Sequence, residues 1–234
     1  MSETAENVHP FRRTAEEAVK DLEVPVLSED HIAREFVNRH VDRVRFDHTA
    51  GQWRILNDGG RWAVDETRTV FSWARNVVAG TASDQPKAER RRLGSKKFAD
   101  GVEGLARADQ RIAATHKLWD QDIQIIGTPN GIVDLETGDF CEPAPLAFIT
   151  RAVAVDPDIT IDCPRWLRFL NEITGNDGAM KRFLQQWAGY CLTGETREHK
   201  LVFIHGPGGT SKSTFANVLQ RVMADYAIAS AIQP

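Results

Sequence analysis

Nine residues, Gly206-Pro-Gly-Gly-Thr-Ser-Lys-Ser-Thr214, constrain the fold of this chain more than any other stretch. An apolar run, Leu201-Val-Phe-Ile204, leads into them, and Phe215, Val218, Leu219 and Val222 follow at helical spacing. Strand, glycine-rich loop and amphipathic helix, in that order, make a cradle for phosphate. The loop wraps backbone N–H groups around phosphate oxygens, and the helix adds its positive dipole end. On this pattern Gly206, Gly208, Gly209, Thr210, Ser211, Lys212, Ser213 and Thr214 are the expected phosphate-binding residues. The Lys212 ammonium reaches the terminal phosphates and the Ser213 hydroxyl ligates Mg²⁺. The competing reading is a glycine-rich turn that joins a strand to a helix and binds nothing.

The pattern G-x-x-x-x-G-K-[ST] places a second glycine where this chain has Ser211. If that position needs a left-handed backbone, the serine Cβ costs on the order of 1 kcal/mol relative to glycine. Nucleotide binding is then weakened rather than abolished. Hydrolysis needs, in addition, an acidic residue at the end of a further strand to hold Mg²⁺ and position water. After Asp225 the chain has no acid, so no catalytic residue is assigned and turnover by this chain alone is not expected.

Upstream, residues 1–27 are polar and charged with few apolar anchors and read as a flexible leader. Residues 28–160 read as an α+β domain. Ser28 or Asp30 caps a helix carrying Ile32, Phe36 and Val37. Trp53 and Ile55, the turn Asn57-Asp-Gly-Gly60, then Trp62 and Val64 give a hairpin, and Val70, Trp73, Ala74, Val77 and Val78 return to helical spacing. Phe98, Val102 and Leu105 mark another helix, and Ile132-Val-Asp134, a Thr-Gly turn and Phe140 a second hairpin. The aromatic residues are read as core, with base-stacking platforms as the alternative. Residues 161–199 carry two apolar stripes, from Trp166 to Ile173 and from Met180 to Leu192, and read as a helical pair whose faces are core or a subunit contact. Residues 200–234 hold the glycine-rich loop.

A net charge of −4 and a pI near 6.0 exclude nucleic-acid binding through overall charge, so any such binding is local. The strongest local candidate is Lys87, Arg90, Arg91, Arg92, Lys96 and Lys97, with Glu89 as the single acid of the run. These six cations suit a DNA backbone, single-stranded or forked, and a solvated helix face is the alternative. Cys141, Cys163 and Cys191 are widely spaced and odd in number, which suggests buried reduced thiols rather than disulfides or a zinc site. Asp120 with Asp122, and Asp156 with Asp158, are read as loop acids rather than a two-metal pair. No signal core or membrane-length apolar run is visible, and a cytoplasmic protein is expected.

The run Thr128-Pro-Asn-Gly-Ile-Val-Asp-Leu-Glu-Thr-Gly138, Trp119-Asp120 before it, the helical pair, and Phe203-Ile-His-Gly-Pro-Gly-Gly-Thr-Ser-Lys-Ser-Thr-Phe215 resemble the phage and plasmid primase/helicase family, members of helicase superfamily 3. The resemblance covers roughly residues 28–226. It implies an α+β domain, then a helical hairpin or collar, then the first strand, loop and helix of a truncated P-loop AAA+ type α/β ATPase. ATP and Mg²⁺ are the implied ligands. DNA and the other subunits of a ring in the full-length parent are the implied partners, with no membrane. The resemblance departs at Ser211, where members of the family carry glycine. A non-enzymatic DNA-binding or assembly module with a vestigial loop is the second reading, and a P-loop kinase of small metabolites a weaker third.

Overall fold

The computed structural model describes residues 27–209 and 211–230. Most of the expected leader, and Thr210 of the loop, lie outside the described residues. The chain divides into two compact units, one running to Val41 and taking in Arg68–Ile112, the other formed by Asp42–Thr67 and the residues from Ala113 onward. Mixed α+β architecture is what the sequence led us to expect, with helices in the first unit and two small sheets with three helices in the second.

The first unit holds α1 (Glu29–His40), α2 (Thr69–Ala82), α3 (Lys87–Leu93) and α4 (Lys96–Arg107). Ser28 starts α1 by accepting the His31 amide at 3.1 Å, and Ser95 starts α4 by accepting that of Phe98 at 3.2 Å. Each serine satisfies an N–H that a helix leaves unpaired. Ile32, Phe36 and Val37 on α1 are buried, as are Val70, Ala74, Val77 and Val78 on α2. On α4 the buried stripe is Phe98, Val102 and Ala106, while Leu105 is exposed against expectation. Ala106, at i+4 from Val102, is in line with the stripe, and its small side chain gave no apolar signal.

The second unit begins with a four-stranded sheet ordered β3-β2-β1-β4, from β1 (Val44–Asp47), β2 (Gln52–Leu56), β3 (Trp62–Val64) and β4 (Ala113–Ala114). β1, β2 and β3 are joined antiparallel, whereas β4 lies parallel to β1. The expected hairpin is β2–β3, with Leu56 opposite Trp62. Its turn closes through Asn57 Oδ1, which accepts the Arg61 amide at 2.8 Å, and Gly60 supplies a φ of +76°. Trp62 and Trp119 form a buried aromatic cluster with Phe148, so the core reading of these rings holds.

The second sheet, β5-β6-β7, is antiparallel throughout: β5 (Ile125–Gly127), β6 (Ile132–Asp134) and β7 (Phe140–Cys141). β6–β7 is the expected hairpin, and β5 had not been anticipated. A Cβ at Gly131 would stand 2.2 Å from the Cys141 carbonyl oxygen, so only glycine permits this approach of the two strands. Helices α5 (Pro164–Ile173), α6 (Gly178–Tyr190) and α7 (Lys212–Met223) complete the unit.

Three expectations are corrected. Leu201–Ile204 forms no strand, and Leu201 and Phe203 are 92% and 80% exposed. A strand exists through the hydrogen bonds of a neighbour, and no strand among the described residues pairs with this run. Neither α5 nor α6 contributes a buried residue, because their apolar stripes meet little beyond the start of α7, where Trp166 and Trp187 stack near Phe215 at 5.9 and 6.4 Å. Cys141, Cys163 and Cys191 are exposed rather than buried, since each sits at the end of an element instead of on its inner face.

Candidate functional site

Lys212 is the first residue of α7, so the loop ends where the helix presents its free N–H groups. Its Nζ donates to the carbonyl oxygens of Gly206 at 2.9 Å and Pro207 at 2.7 Å. The ammonium is thereby tied to the loop by backbone oxygens. Ser211 precedes it with φ 59° and ψ 17°, a left-handed backbone, and gives α7 no side-chain cap. The geometry that makes glycine favourable here is therefore real, and the serine Cβ carries its cost. Gly208 and Gly209 are open, with nothing within 4 Å of an added Cβ. Ser213 and Thr214 are exposed on the first turn. A cavity of about 430 Å³ adjoins the loop, lined in part by Phe203, His205, Gly206, Pro207 and Lys212. An ammonium at a helix N-terminus, an exposed hydroxyl at Ser213 and a bare glycine backbone fit a nucleoside triphosphate with Mg²⁺.

The six basic residues do not form one uniform patch. Lys87, Arg90 and Arg91 share a face of α3 at i, i+3 and i+4, exposed, with Leu93 turned inward. No ion pair engages these three or Lys97 among the described residues. Arg92 is committed elsewhere. It grips Glu89 through Nε at 3.0 and 3.1 Å, donates to the Leu27 carbonyl at 3.0 Å and stacks over Phe98 at 5.1 Å. That guanidinium holds the Glu89 carboxyl below the usual carboxylate range, and Glu89 in turn raises Arg92. Lys96 pairs with Asp100 at 2.5 Å. The run had suggested six equivalent cations, and intrahelical pairing leaves four.

The four acids that the sequence placed in loops all accept hydrogen bonds within the chain. Asp120 accepts the Thr150 amide at 2.7 Å and hydroxyl at 2.5 Å, and Asp122 accepts the Gln124 amide at 2.9 Å. Asp156 accepts Asn130 through its amide at 3.0 Å and Nδ2 at 2.6 Å, and Asp158 accepts the Thr160 amide at 2.8 Å. Among the described residues no group of His, Cys, Asp and Glu is arranged to hold a metal ion. No helix among them is long and apolar enough to cross a membrane.

One arrangement escaped the sequence entirely. Beyond α7, Asp225 accepts Arg61 Nη1 at 2.7 Å and the Ala152 amide at 3.1 Å. Tyr226 Oη accepts the Gly127 amide at 3.0 Å and donates to the Arg151 carbonyl at 3.2 Å. The Ala154 amide reaches the Val222 carbonyl at 2.9 Å. Partners so distant along the chain leave no local pattern.

A family described as D5 N terminal like matches residues 32–175, which include both sheets, most of α1 and all of α2 to α5, the basic helix α3 among them, and stop short of the loop at 206–214. A protein of Marchantia polymorpha, "Uncharacterized mitochondrial protein ymf21", is 33% identical over 63 residues. Those residues make up 26% of this chain and 35% of the Marchantia protein, so the chain spans about a third of the length of the curated relative it matches.

Proposed function

The chain belongs to the D5 N terminal like family, a domain found in primase-helicase proteins, and from that premise we propose that it is the N-terminal portion of a phage or prophage DNA replication helicase. In the parent protein ATP binding and hydrolysis would be coupled to unwinding. The observation that carries this reading is an order along the chain: the family-matched residues, then α6, then a loop that ends with Lys212 on the first position of α7. The amides around Gly208, Gly209, Thr210 and Ser211, with Lys212 and Thr214, would hold ATP phosphates, and the Ser213 hydroxyl would hold Mg²⁺. Bound ATP supplies the free energy of unwinding. The residues of this chain bind and orient it. The half-covered stripes of α5 and α6 support a contact with neighbouring subunits of a ring, and the exposed face of Lys87, Arg90 and Arg91 supports contact with DNA.

A second reading, a non-enzymatic DNA-binding or assembly module with a vestigial loop, is favoured by the strained Ser211 and by the carbonyls that already occupy Lys212. No residue is assigned a catalytic role under either reading, and Asp225, just beyond α7, is engaged by Arg61 and Ala152. The test is anisotropy of a fluorescent forked oligonucleotide with the full chain, together with phosphate release from ATP and Mg²⁺. Salt-sensitive binding without phosphate release is expected. Absence of binding at low salt contradicts the DNA role, and release that disappears in Lys212→Ala contradicts the assignment of no catalytic residue.

A further inference from the structure

Where α3 gives way to α4, the helical unit holds a cavity of about 430 Å³. Its floor is apolar: Val78, Leu93 and Ala99 are all buried. Phe71 lines one side, with the Arg68 guanidinium 4.4 Å from the centroid of its ring. Arg75 and Asn76 line the cavity from α2, and Lys96 from the start of α4. No acidic side chain lines it. Arg75 is exposed and has no ion pair among the described residues. A concave apolar surface with an aromatic ring and a free guanidinium suits a flat, uncharged ring bearing a phosphate. Leu93 and Lys96 belong to the same run as Lys87, Arg90 and Arg91, so the cavity opens at the end of the basic helix.

We propose that this cavity receives one nucleotide of a single DNA strand, its base against Phe71 and the apolar floor and its phosphate on Arg75, with the neighbouring phosphates on Arg90 and Arg91. The inference rests on the DNA role proposed above and adds to it a site that distinguishes single strands from duplex. In a duplex the bases are paired and stacked, and none is free to enter. Phe71 and Arg75, at i and i+4 on α2, then supply stacking and charge to the same nucleotide.

The test compares the full chain with Phe71→Leu, Arg75→Ala and the triple variant Lys87→Ala, Arg90→Ala, Arg91→Ala, by anisotropy of labelled oligo(dT) and of a duplex of equal length. Phe71→Leu keeps an apolar side chain and Arg75→Ala alters an exposed residue, so both report on binding rather than folding. Each is expected to weaken oligo(dT) binding about tenfold, the scale of one base stacked on an aromatic ring, and to leave duplex binding within about twofold. The triple variant is expected to weaken both. Wild-type oligo(dT) binding by Phe71→Leu and Arg75→Ala, with the triple variant impaired, overturns the cavity site and leaves the DNA role standing. Wild-type binding by the triple variant as well overturns the DNA role itself. Binding of dTMP as tight as that of oligo(dT), lost in Arg75→Ala, would instead mark a site for free nucleotide and contradict the strand.

Discussion

Arg61 and Asp225 lie 164 residues apart in sequence and meet through a single hydrogen bond of 2.7 Å from Nη1 to Oδ2. The same oxygen accepts the Ala152 amide, and the next residue, Tyr226, bridges Gly127 and Arg151. The helix that begins at Lys212 therefore has its far end fastened beside β5 and the β2–β3 turn. At 12 residues it places about 18 Å between the loop and this fastening. The two ends of α7 differ, the first bearing Lys212 and the free amides of the helix start and the second anchoring the helix.

Removing Asp225 should loosen that anchor without unfolding the chain. The ion pair is partly exposed, at 35% and 48% for the two side chains, and such pairs contribute little. With the Ala152 hydrogen bond included, Asp225→Ala is expected to cost about 1 kcal/mol in denaturant unfolding. Hydrogen exchange reads the effect locally. Protection at Ala152 and Gly127 should fall together, and unchanged protection at both would show that the anchor does not depend on Asp225.

Asp47 gives a pH-dependent prediction. It is 2% exposed and accepts Trp119 Nε1 at 2.7 Å, the Thr49 amide at 2.9 Å and the Ala50 amide at 3.1 Å. Burial pushes its carboxyl up, but the bonds from Ala50, Trp119 and Thr49 and the charge of Arg54 outweigh it, and the net displacement is downward from the ordinary 3.8. A depressed carboxyl stabilises the folded state above its unfolded value. That contribution is fully present above about pH 4 and is lost as pH falls below 3.8 through the folded value. Asp47→Ala leaves Trp119 Nε1 without its buried acceptor and is expected to cost about 3 kcal/mol at neutral pH, with a flatter acid limb. Acid titration of intrinsic tryptophan fluorescence follows both, and identical acid limbs would refute the assignment.

These two contacts show what the sequence made legible and what it did not. Hairpin β2–β3 was visible because alternation and an Asn-Asp-Gly-Gly turn are local, and α1 because Ser28 caps an apolar stripe. The stripes of α5 and α6 were equally visible, but what covers a stripe is decided by neighbours, and here little does. Strand β5 was missed because Ile125-Ile-Gly127 is too short to show a period. The left-handed backbone of Ser211 was foreseeable from the motif position, whereas Trp119 as a partner of Asp47 and the partners of Asp225 come from distant chain and left no pattern.

The basic helix is tested by salt. If Lys87, Arg90 and Arg91 each meet a phosphate, replacing all three with alanine should reduce the slope of log K against log salt by about 2 for a single strand. Arg92→Ala removes a cation already held by Glu89 and the Leu27 carbonyl, and should leave that slope within about 0.3 of wild type. Equal reductions per residue in the two variants would mean that all the arginines act alike and that the pairing with Glu89 does not matter in solution.

Ser211 offers a gain rather than a loss. Glycine adopts the left-handed backbone without the Cβ penalty, so Ser211→Gly should release about 1 kcal/mol at the start of α7. Nucleotide affinity should rise by about fivefold if the bound state demands that left-handed backbone and the serine otherwise draws the free loop away from it, and circular dichroism melts should show no loss of helix. A weaker affinity would mean that the serine hydroxyl itself serves the ligand.

Whether the loop takes ATP decides between a working nucleotide site and a vestigial one. Equilibrium dialysis of radiolabelled ATP against the full chain, with and without Mg²⁺, measures this directly. Saturable binding that strengthens with Mg²⁺, tightens in Ser211→Gly and vanishes in Lys212→Ala is the expected result. No binding by either the natural chain or Ser211→Gly would contradict it and leave the loop vestigial.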